Sequence, residues 1–557
     1  MSRLASLMLS VASLATLAAC GGGGGSDSPP PPAPGVSLSG VAATGAALAG
    51  ATVEAKCRGG STGSATAAAN GSYSIALSTG SLPCMLRATS GATVLHSVAQ
   101  GGGTAHLTPA TQLIVASIAG TTPAAYYGAF NDAAADALTP ARVQAAHANI
   151  VSVLTQGGVN ASTVGNLLNG TLVAAVGGTA GNAYDQALDA LALRLTARGL
   201  SLATLTDQVV RASPANTTQT TNTASLPPQA LLQPASATCS ALRSGTYRVI
   251  VPQLANAGEY STGTGTFNAT TGVFTDEDGP NQFTPTGTPC SFTTANGAEL
   301  VVSQAGVVAI RTMEAGGVRR LGIAFPEQVH AVADLAGAWQ SIGFERADNG
   351  TYYADSSSAS LSAAGALTNL SYCENITTCQ AISGLNINVS VNASGGFNLV
   401  NSTENWTDRL FAYRAGNGDL MLVVLAGNGS FSIWTPQRAT SPVAVGTRQL
   451  SWGLWAGINL QATSAIAVND YNVTAADATT WTRVAASDGH SETVTANSPR
   501  NGWVSRADGT APTTGGGTVT VRGFNGLVVR GMGMSALSLP TLNNGSGSGS
   551  YYLSVNQ

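Results

Sequence analysis

The sequence has 557 residues, of which 23 are Lys or Arg and 27 are Asp or Glu, so the net charge is −4. Charged residues make up only 9 % of the chain, whereas globular proteins average about a quarter. No nucleic-acid partner is expected, because binding to a phosphate backbone needs clustered Lys and Arg. The length predicts several domains.

Residues 1–19 have the parts of a secretion signal: a positive start at Arg3, an apolar run over 4–17, and small residues before a cut. The apolar run is too short for a membrane-spanning helix. The segment Leu17-Ala18-Ala19-Cys20 resembles the lipobox of bacterial lipoproteins. That resemblance implies cleavage after residue 19 and attachment of lipid to Cys20, which would then hold the chain on a membrane. The alternative is an ordinary cleaved signal that contains a cysteine.

Residues 20–35 are predicted to form a lipidated tether. Five glycines follow Cys20 directly, and four prolines occupy 29–32, a composition that cannot bury a core. In the lipoproteins that the motif resembles, an aspartate after the cysteine retains the protein at the inner membrane. Gly21 stands at that position here, so the resemblance implies the outer membrane, with the body facing the periplasm or the cell surface.

Residues 36–104 alternate apolar and small polar residues and are interrupted by turn pairs, the pattern of hairpins in a half-buried sheet. The stretch resembles the carboxypeptidase regulatory-like domain, a transthyretin-like β-sandwich. The matching parts are Gly40-Val41, Gly50-Ala51-Thr52-Val53 and Asn70-Gly71-Ser72-Tyr73. The resemblance implies a structural or carrier module rather than an enzyme.

Over residues 105–213 the spacing of the apolar residues changes from the period of strands to that of helices. Thr108-Pro109 and Thr139-Pro140 combine a capping residue with a proline at the first helical position, which is a start signal for a helix. Farther along, four residues lie on one helical face: Tyr184, Leu188, Leu191 and Leu195. We predict a small helical bundle here, followed by a linker over 214–238 that is rich in Thr, Asn and Pro.

Residues 239–557 have the pattern of short strands to the end of the sequence. Asn417-Gly418 and Asn428-Gly429 are tight-turn pairs between neighbouring strands. Sequential hairpins predict antiparallel meanders that close into barrels or stack as sandwiches, in two or three modules. The whole chain is therefore predicted to be mainly β and multidomain, with a small β-sandwich, a short helical bundle and a large antiparallel β region.

The chain contains seven cysteines, and lipidation of Cys20 would leave six, an even number that suits an oxidising compartment. The proposed domain boundaries favour three disulfides, Cys57–Cys84, Cys239–Cys290 and Cys373–Cys379. The alternative is a set of free or metal-binding thiols. No CxxC pair occurs and no histidine lies near these cysteines in sequence, which disfavours zinc. We predict no metal and no cofactor.

Two polar clusters could carry chemistry. His490 has Asp488 beside it, and that carboxylate or Asp470 could complete an acid–base pair if a serine converged on them; a solvated loop histidine is the alternative. Asp276 and Asp278 lie in an acidic turn that resembles part of a calcium loop but lacks the downstream carboxylate. A plain acidic turn is the simpler interpretation.

All seven tryptophans lie between Trp339 and Trp503. Core packing explains most of them, but indoles on a β surface also stack on sugars and apolar ligands. The predicted binding residues are Trp452, Trp455, Trp481 and Trp503.

Two functional hypotheses follow. In the first, the chain is a cell-envelope lipoprotein with a non-enzymatic role, binding a glycan, lipid or protein ligand or acting structurally. In the second, it is an exported hydrolase of an ester or polysaccharide, with its site in the C-terminal β region. The first is favoured because the sequence shows no converging nucleophile, base or metal set.

Overall fold

A computed structural model describes residues 35–78, 81–216, 223–253, 259–313, 319–346, 352–373, 379–427, 430–456, 467–521, 523–539 and 550–556. The chain is mainly β and multidomain, as the sequence predicts. The signal segment, Cys20 and the glycine-rich part of the tether lie outside the described residues. Within the described ranges, no helix has both the length and the apolar character needed to cross a bilayer.

The N-terminal region is a pair of facing sheets. Its strands are β1 (Val36–Val41), β2 (Thr52–Cys57), β3 (Thr62–Thr66), β4 (Ser72–Leu77), β5 (Cys84–Ser90), β6 (Thr93–Ala99) and β7 (Gly103–Thr104). One sheet has the order β4-β1-β7 and the other β3-β2-β5-β6. Side chains of both sheets, among them Leu38, Ile75 and Leu86, share one core. The predicted disulfide Cys57–Cys84 is confirmed and joins the paired strands β2 and β5.

The described residues that follow contain seven helices: α1 (Pro109–Ala119), α2 (Pro123–Gly128), α3 (Asp132–Asp136), α4 (Pro140–Gln156), α5 (Ala183–Ala197), α6 (Leu202–Ala212) and α7 (Pro228–Leu231). The helices α1 and α4 begin where the Thr-Pro pairs predict, because Thr108 and Thr139 each accept a hydrogen bond from a backbone N–H of the first turn. Tyr184, Leu188, Leu191 and Leu195 are buried in the helical core. That core also contains Met85 and Val98 of the sandwich, so the two regions pack on each other.

The described part of the predicted linker is packed against neighbouring elements. The backbone N–H of Gly416 donates to the carbonyl oxygen of Ser225 at 2.8 Å, and Leu226 is buried. Leu232 is fully buried in the helical core. Residues 223–238 therefore connect the helices to the β region as an ordered segment.

The first large sheet has nine strands in the order β13-β12-β11-β10-β18-β17-β16-β15-β14. They are β10 (Gly245–Gln253), β11 (Glu259–Asn268), β12 (Val273–Asp276), β13 (Gly279–Gln282), β14 (Thr284–Pro285), β15 (Ser291–Thr293), β16 (Glu299–Val302), β17 (Val308–Met313) and β18 (Arg319–Pro326). A short hairpin precedes it, made of β8 (Ala235–Ser236) and β9 (Cys239–Arg243). The predicted disulfide Cys239–Cys290 is confirmed.

The second large sheet also has nine strands, in the order β20-β19-β27-β26-β25-β24-β23-β21-β22, and β20 pairs with β21 as well, so that eight of the strands form a closed ring. They are β19 (Gly337–Arg346), β20 (Tyr352–Leu361), β21 (Ala366–Cys373), β22 (Cys379–Ala381), β23 (Ile387–Val391), β24 (Phe397–Asn401), β25 (Trp406–Arg414), β26 (Leu420–Leu425) and β27 (Phe431–Pro436). A short 3-10 helix, Val332–Leu335, lies between the two sheets in sequence. The third predicted disulfide, Cys373–Cys379, is confirmed and joins β21 to β22.

The C-terminal module is a closed eight-stranded antiparallel barrel in the order β28-β29-β30-β31-β32-β35-β36-β37. Its strands are β28 (Arg448–Ala456), β29 (Ala467–Ala476), β30 (Thr480–Ala485), β31 (Ser491–Ala496), β32 (Trp503–Arg506), β35 (Phe524–Val529), β36 (Met534–Leu539) and β37 (Ser550–Asn556). The strands β33 (Gly509–Pro512) and β34 (Thr518–Val521) form a separate hairpin. Pairing of β28 with β37 closes the ring.

One core joins the barrel to both large sheets. It combines residues from the outer wall of the barrel, such as Trp503 and Leu527, with Ile250 of the first sheet and Ile342 and Phe411 of the second. The outer wall on this side is therefore buried. The inside of the barrel is a separate compartment with its own apolar cluster.

Candidate ligand-binding site inside the C-terminal barrel

The strands of the barrel alternate between an inward and an outward face. Trp481, Val494 and Val504 belong to the interior apolar cluster, whereas the next residue on β32, Trp503, belongs to the core outside the barrel. Because side chains in a strand alternate between the two faces, residues two apart share a face. Arg483, Glu492 and Arg506 therefore face inward together with the apolar cluster.

The interior contains a cavity of about 740 Å³, which is within the usual range for small-molecule sites. One part of its wall is apolar and includes Trp481, Val494, Val504, Phe524 and Leu537. The segment between β27 and β28 contributes five consecutive residues, 440–444, and the ordered linker contributes Thr223. Polar wall residues include Gln449, Ser451, Asn469, Tyr471, Ser535, Ser554 and Asn556.

A buried ionic cluster forms the charged part of this interior. The side chain of Glu492 is 1 % exposed and lies between two guanidinium groups. Arg483 Nε donates to Glu492 Oε1 at 2.5 Å, and Arg506 Nη1 donates to Glu492 Oε2. Register explains the first pair, because Arg483 stands directly opposite Glu492 on β30 and β31. We call these three residues the Arg-Glu-Arg cluster.

Aromatic rings hold both guanidinium groups in place. The guanidinium carbon of Arg483 lies 4.1 Å from the ring centroid of Tyr471, and that of Arg506 lies 4.8 Å from the ring centroid of Phe524. Such cation–π contacts strengthen where water is excluded. Burial raises the pKa of Tyr471 and the Glu492 carboxylate raises it further, while the two guanidinium groups act in the opposite direction. The ring therefore stays a neutral part of the wall.

Ion pairs account for the charged side chains of the wall. Glu492 is shared by the two guanidinium groups of the cluster. Another charged wall residue, Arg530, lies 3.4 Å from Asp419, which also pairs with Arg438. Buried charges are costly unless they are paired, so these contacts explain how the barrel interior accommodates them.

The predicted binding tryptophans separate into three situations. Trp481 lines the cavity, and its Nε1 donates to Gln449 Oε1 at 3.3 Å. Trp503 is fully buried in the core outside the barrel and donates to Gln340 Oε1 at 3.0 Å, so it is a core residue rather than a ligand-contacting one. The backbones of Trp452 and Trp455 belong to β28, but their side chains lie outside the described residues.

The predicted acid–base pair is partly formed. His490 Nδ1 and Asp488 Oδ1 are 2.5 Å apart, and this hydrogen bond lowers the pKa of Asp488. Both follow β30 in a turn where Gly489 has a positive φ of 71°. Asp470 does not join them, because it pairs with Arg448 at 2.7 Å. Within the described residues, no serine is hydrogen bonded to the ring of His490.

The acidic turn holds no metal-ligand cluster. The backbone N–H of Asp278 donates to Asp276 Oδ1 at 3.1 Å, which closes the turn on itself. Among the described residues, no group of three or more His, Cys, Asp or Glu side chains is placed to hold a metal ion. The interpretation as a plain turn accounts for these contacts.

The Arg-Glu-Arg cluster was missed from the sequence because charged residues in a strand usually indicate a solvated face. A signal was nevertheless present in the hairpin. Arg483 is two residues from Trp481 and from Ala485 and so shares their strand face, and Glu492 shares a face with Val494 and Ala496 in the same way. A charge in an otherwise apolar face, matched by an opposite charge in the next strand, indicates an internal ion pair.

Comparison with known proteins gives no family. No family model matches the sequence, and no curated protein matches it either. A putative outer membrane protein from Bacteroides fragilis is 12 % identical, covers 41 % of this chain and 100 % of its own, and has a TM-score of 0.13. A double mutant of transferrin binding protein B from Haemophilus parasuis is 9 % identical, covers 56 % of this chain and 76 % of its own, and has a TM-score of 0.16.

Transferrin binding protein B from serogroup B Neisseria meningitidis is 8 % identical over the same shares, with a TM-score of 0.16. Similarity at this level carries no argument about the fold or the ligand of this chain.

Proposed function

We propose that this chain is a lipid-anchored protein of the outer membrane, with a non-enzymatic binding role, that holds a small ligand inside its C-terminal barrel. The observation that carries the binding role is the cavity of about 740 Å³ inside the barrel, which is lined by apolar residues on one part and by Arg483 and Arg506 of the Arg-Glu-Arg cluster on another. A concave site with mainly apolar walls and a few convergent polar groups is the usual form of a small-molecule site.

The construction of the module supports this role. The outer wall of the barrel is held in the core that it shares with both large sheets, so the inner wall is supported from behind. Three disulfides stabilise the sandwich and the two sheets. A binding wall on rigid elements keeps its geometry without the cost of ordering a loop on binding.

Filling the cavity from its wall tests the binding role. Ser535 lies on β36 and lines the cavity, so we expect Ser535→Phe to occupy the space that a ligand needs. Thr493 is exposed on β31, and its neighbours Glu492 and Val494 are the inward-facing residues. Thr493→Phe therefore adds the same side chain to the outside of the same barrel and is the matched control.

The measurement is fluorescence titration of the purified full chain with N-phenyl-1-naphthylamine, a neutral apolar probe that fluoresces when it leaves water. The proposal expects saturable binding by the wild type and by Thr493→Phe, and a loss of about tenfold or more in affinity for Ser535→Phe, since the bound probe and the new ring would compete for one cavity. Equal binding by all three proteins, or no saturable binding by any, would contradict the proposed function.

The membrane anchor is tested separately at Cys20. We expect Cys20→Ala to abolish metabolic labelling with palmitate and to release the protein from the membrane fraction, because the lipid is attached to that thiol. Ser26→Ala, a substitution within the tether, is the control and should leave labelling unchanged. Continued labelling of the Cys20→Ala protein would show that the lipobox interpretation is wrong.

A further inference from the structure

We propose that the disulfide Cys373–Cys379 is a site of thiol–disulfide exchange, and that Arg500 stabilises the sulfur that leaves as a thiolate. The class of substrate is a dithiol, which reduces the disulfide and is itself oxidised. These three residues do not line the barrel cavity, so the proposal goes beyond the binding role and does not depend on it.

The two cysteines of this disulfide differ in their access to solvent. Cys379 is exposed, whereas Cys373 is 1 % exposed. Exchange begins when a thiolate attacks one sulfur of a disulfide, and its rate depends on which sulfur can be reached. An incoming thiolate therefore meets Cys379, and Cys373 carries the leaving sulfur.

The other two disulfides offer no such access. Cys57, Cys84 and Cys239 are buried, and Cys290 is half-buried. A dithiol in solution should therefore discriminate among the three bonds, and the other two serve as references within the same molecule.

The guanidinium group of Arg500 lies against both sulfurs. Its Nη1 is 3.1 Å from Cys373 Sγ and 2.6 Å from Cys379 Sγ. An N–H donated to a thiolate is a charge-assisted hydrogen bond, stronger than one donated to an uncharged disulfide sulfur. Arginine has five N–H donors, so other contacts of the same side chain leave this donation in place. A better stabilised thiolate is a better leaving group.

Strand register explains how one side chain reaches both sulfurs. Ser356 on β20 stands opposite Cys373 on β21, and Cys373 stands opposite Cys379 on β22. Arg500 Nη2 donates to Ser356 Oγ at 2.7 Å, and the guanidinium carbon lies 5.0 Å from the ring centroid of Trp503. These contacts hold the guanidinium group beside the sulfurs before a dithiol arrives.

The fold can lose this bond and keep the strands that it joins. The strands β21 and β22 are also paired through their backbones. The two cysteines are 6 residues apart in sequence, against 27 and 51 for the other two disulfides. Because a disulfide stabilises less when its loop is shorter, this bond contributes the least of the three. The reduced thiols therefore stay on neighbouring strands, available for reoxidation.

The exchange takes place in two steps. In the first, a thiolate of the dithiol bonds to Cys379 Sγ, the Sγ–Sγ bond breaks, and its electron pair leaves on Cys373 Sγ beside Arg500. In the second, the other thiolate of the dithiol attacks its own sulfur in this mixed disulfide and releases Cys379 as a thiolate. The dithiol becomes a disulfide, and its two electrons and two protons end on the two cysteine thiols.

Reduction of the purified full chain by dithiothreitol at neutral pH tests the proposal. Differential alkylation followed by mass spectrometry gives the rate for each disulfide separately. We expect Cys373–Cys379 to be reduced about tenfold or more faster than Cys57–Cys84 and Cys239–Cys290, because only this pair has an exposed cysteine. Arg500→Met should slow its reduction by about fivefold to tenfold, since the leaving thiolate loses a charge-assisted hydrogen bond.

Two further variants and the reference disulfides separate this effect from others. Arg500→Lys retains a charged donor and should stay within about threefold of the wild type. Arg448→Met removes an arginine that is 61 % exposed and pairs with Asp470, so it reports any general attraction of the thiolate to surface charge, and it should leave the rate unchanged. Loss of folding would speed reduction of all three disulfides, which is the opposite of the expected slowing.

The outcomes decide between an exchange site and a structural bond. Reduction of Cys373–Cys379 no faster than that of the other two disulfides would overturn the proposal. An unchanged or faster rate in Arg500→Met, or equal slowing by Arg448→Met, would overturn the role of Arg500 in stabilising the leaving thiolate.

Discussion

Replacing Trp503 with alanine should lower the free energy of unfolding by about 3–5 kcal/mol, the usual cost of truncating a large aromatic side chain in a core. Trp503 is fully buried where the barrel meets both large sheets. Truncation would leave a cavity between the modules and remove the hydrogen bond to Gln340, which is itself fully buried. Equilibrium urea unfolding of the full chain measures the loss.

Trp503→Phe is the matched control for this prediction. It keeps most of the apolar volume but leaves Gln340 Oε1 without its indole donor, so we expect a loss of about 1–2 kcal/mol. Because Trp503 points away from the cavity, the folded Trp503→Phe protein should bind the neutral probe as the wild type does. If the folded variant no longer binds the probe, Trp503 contributes to the ligand surface, as the sequence predicted, and its assignment to the core is wrong.

Replacing Glu492 with glutamine should lower the stability of the barrel by about 3 kcal/mol, because two buried guanidinium groups would lose the carboxylate that they share. The side chain of Glu492 is 1 % exposed and pairs with Arg483 and Arg506. Hydrogen exchange of the backbone amides of β30 and β31 measures this effect where it arises. Asp470→Asn, which breaks the exposed pair with Arg448, should leave that exchange nearly unchanged.

Local sequence patterns predicted much of the architecture. Thr108 and Thr139 cap helices where the Thr-Pro pairs predict them, because capping depends only on a few consecutive residues. The three disulfides follow the predicted pairs, since the proposed modules left each cysteine a partner within its own module. The Asn417-Gly418 turn separates β25 from β26, and Gly418 has a φ of 87°.

The binding interior could not be predicted in the same way. Trp481 and Trp503 look equivalent in the sequence, yet the first lines the cavity and the second is outside it. Which face of a strand is the inside depends on how the barrel closes, and β28 closes it on β37 across about a hundred residues of sequence. Arg483 and Glu492 are a pair on β30 and β31, and Arg506 reaches Glu492 from the next strand, β32, which pairs with β31.

The sequence by itself determined the mainly β composition, the helix starts and the pairing of the cysteines, because these depend on local periodicity, capping and the number of thiols per module. It also supplied the expectation of an exported, lipid-anchored chain, from residues 1–35. Only the tertiary structure decided that the last module closes into a barrel and that two arginines and one glutamate meet inside it. The physical reason is that strand patterns specify which residues share a face, whereas the closure of the sheet specifies which of the two faces is sealed from water.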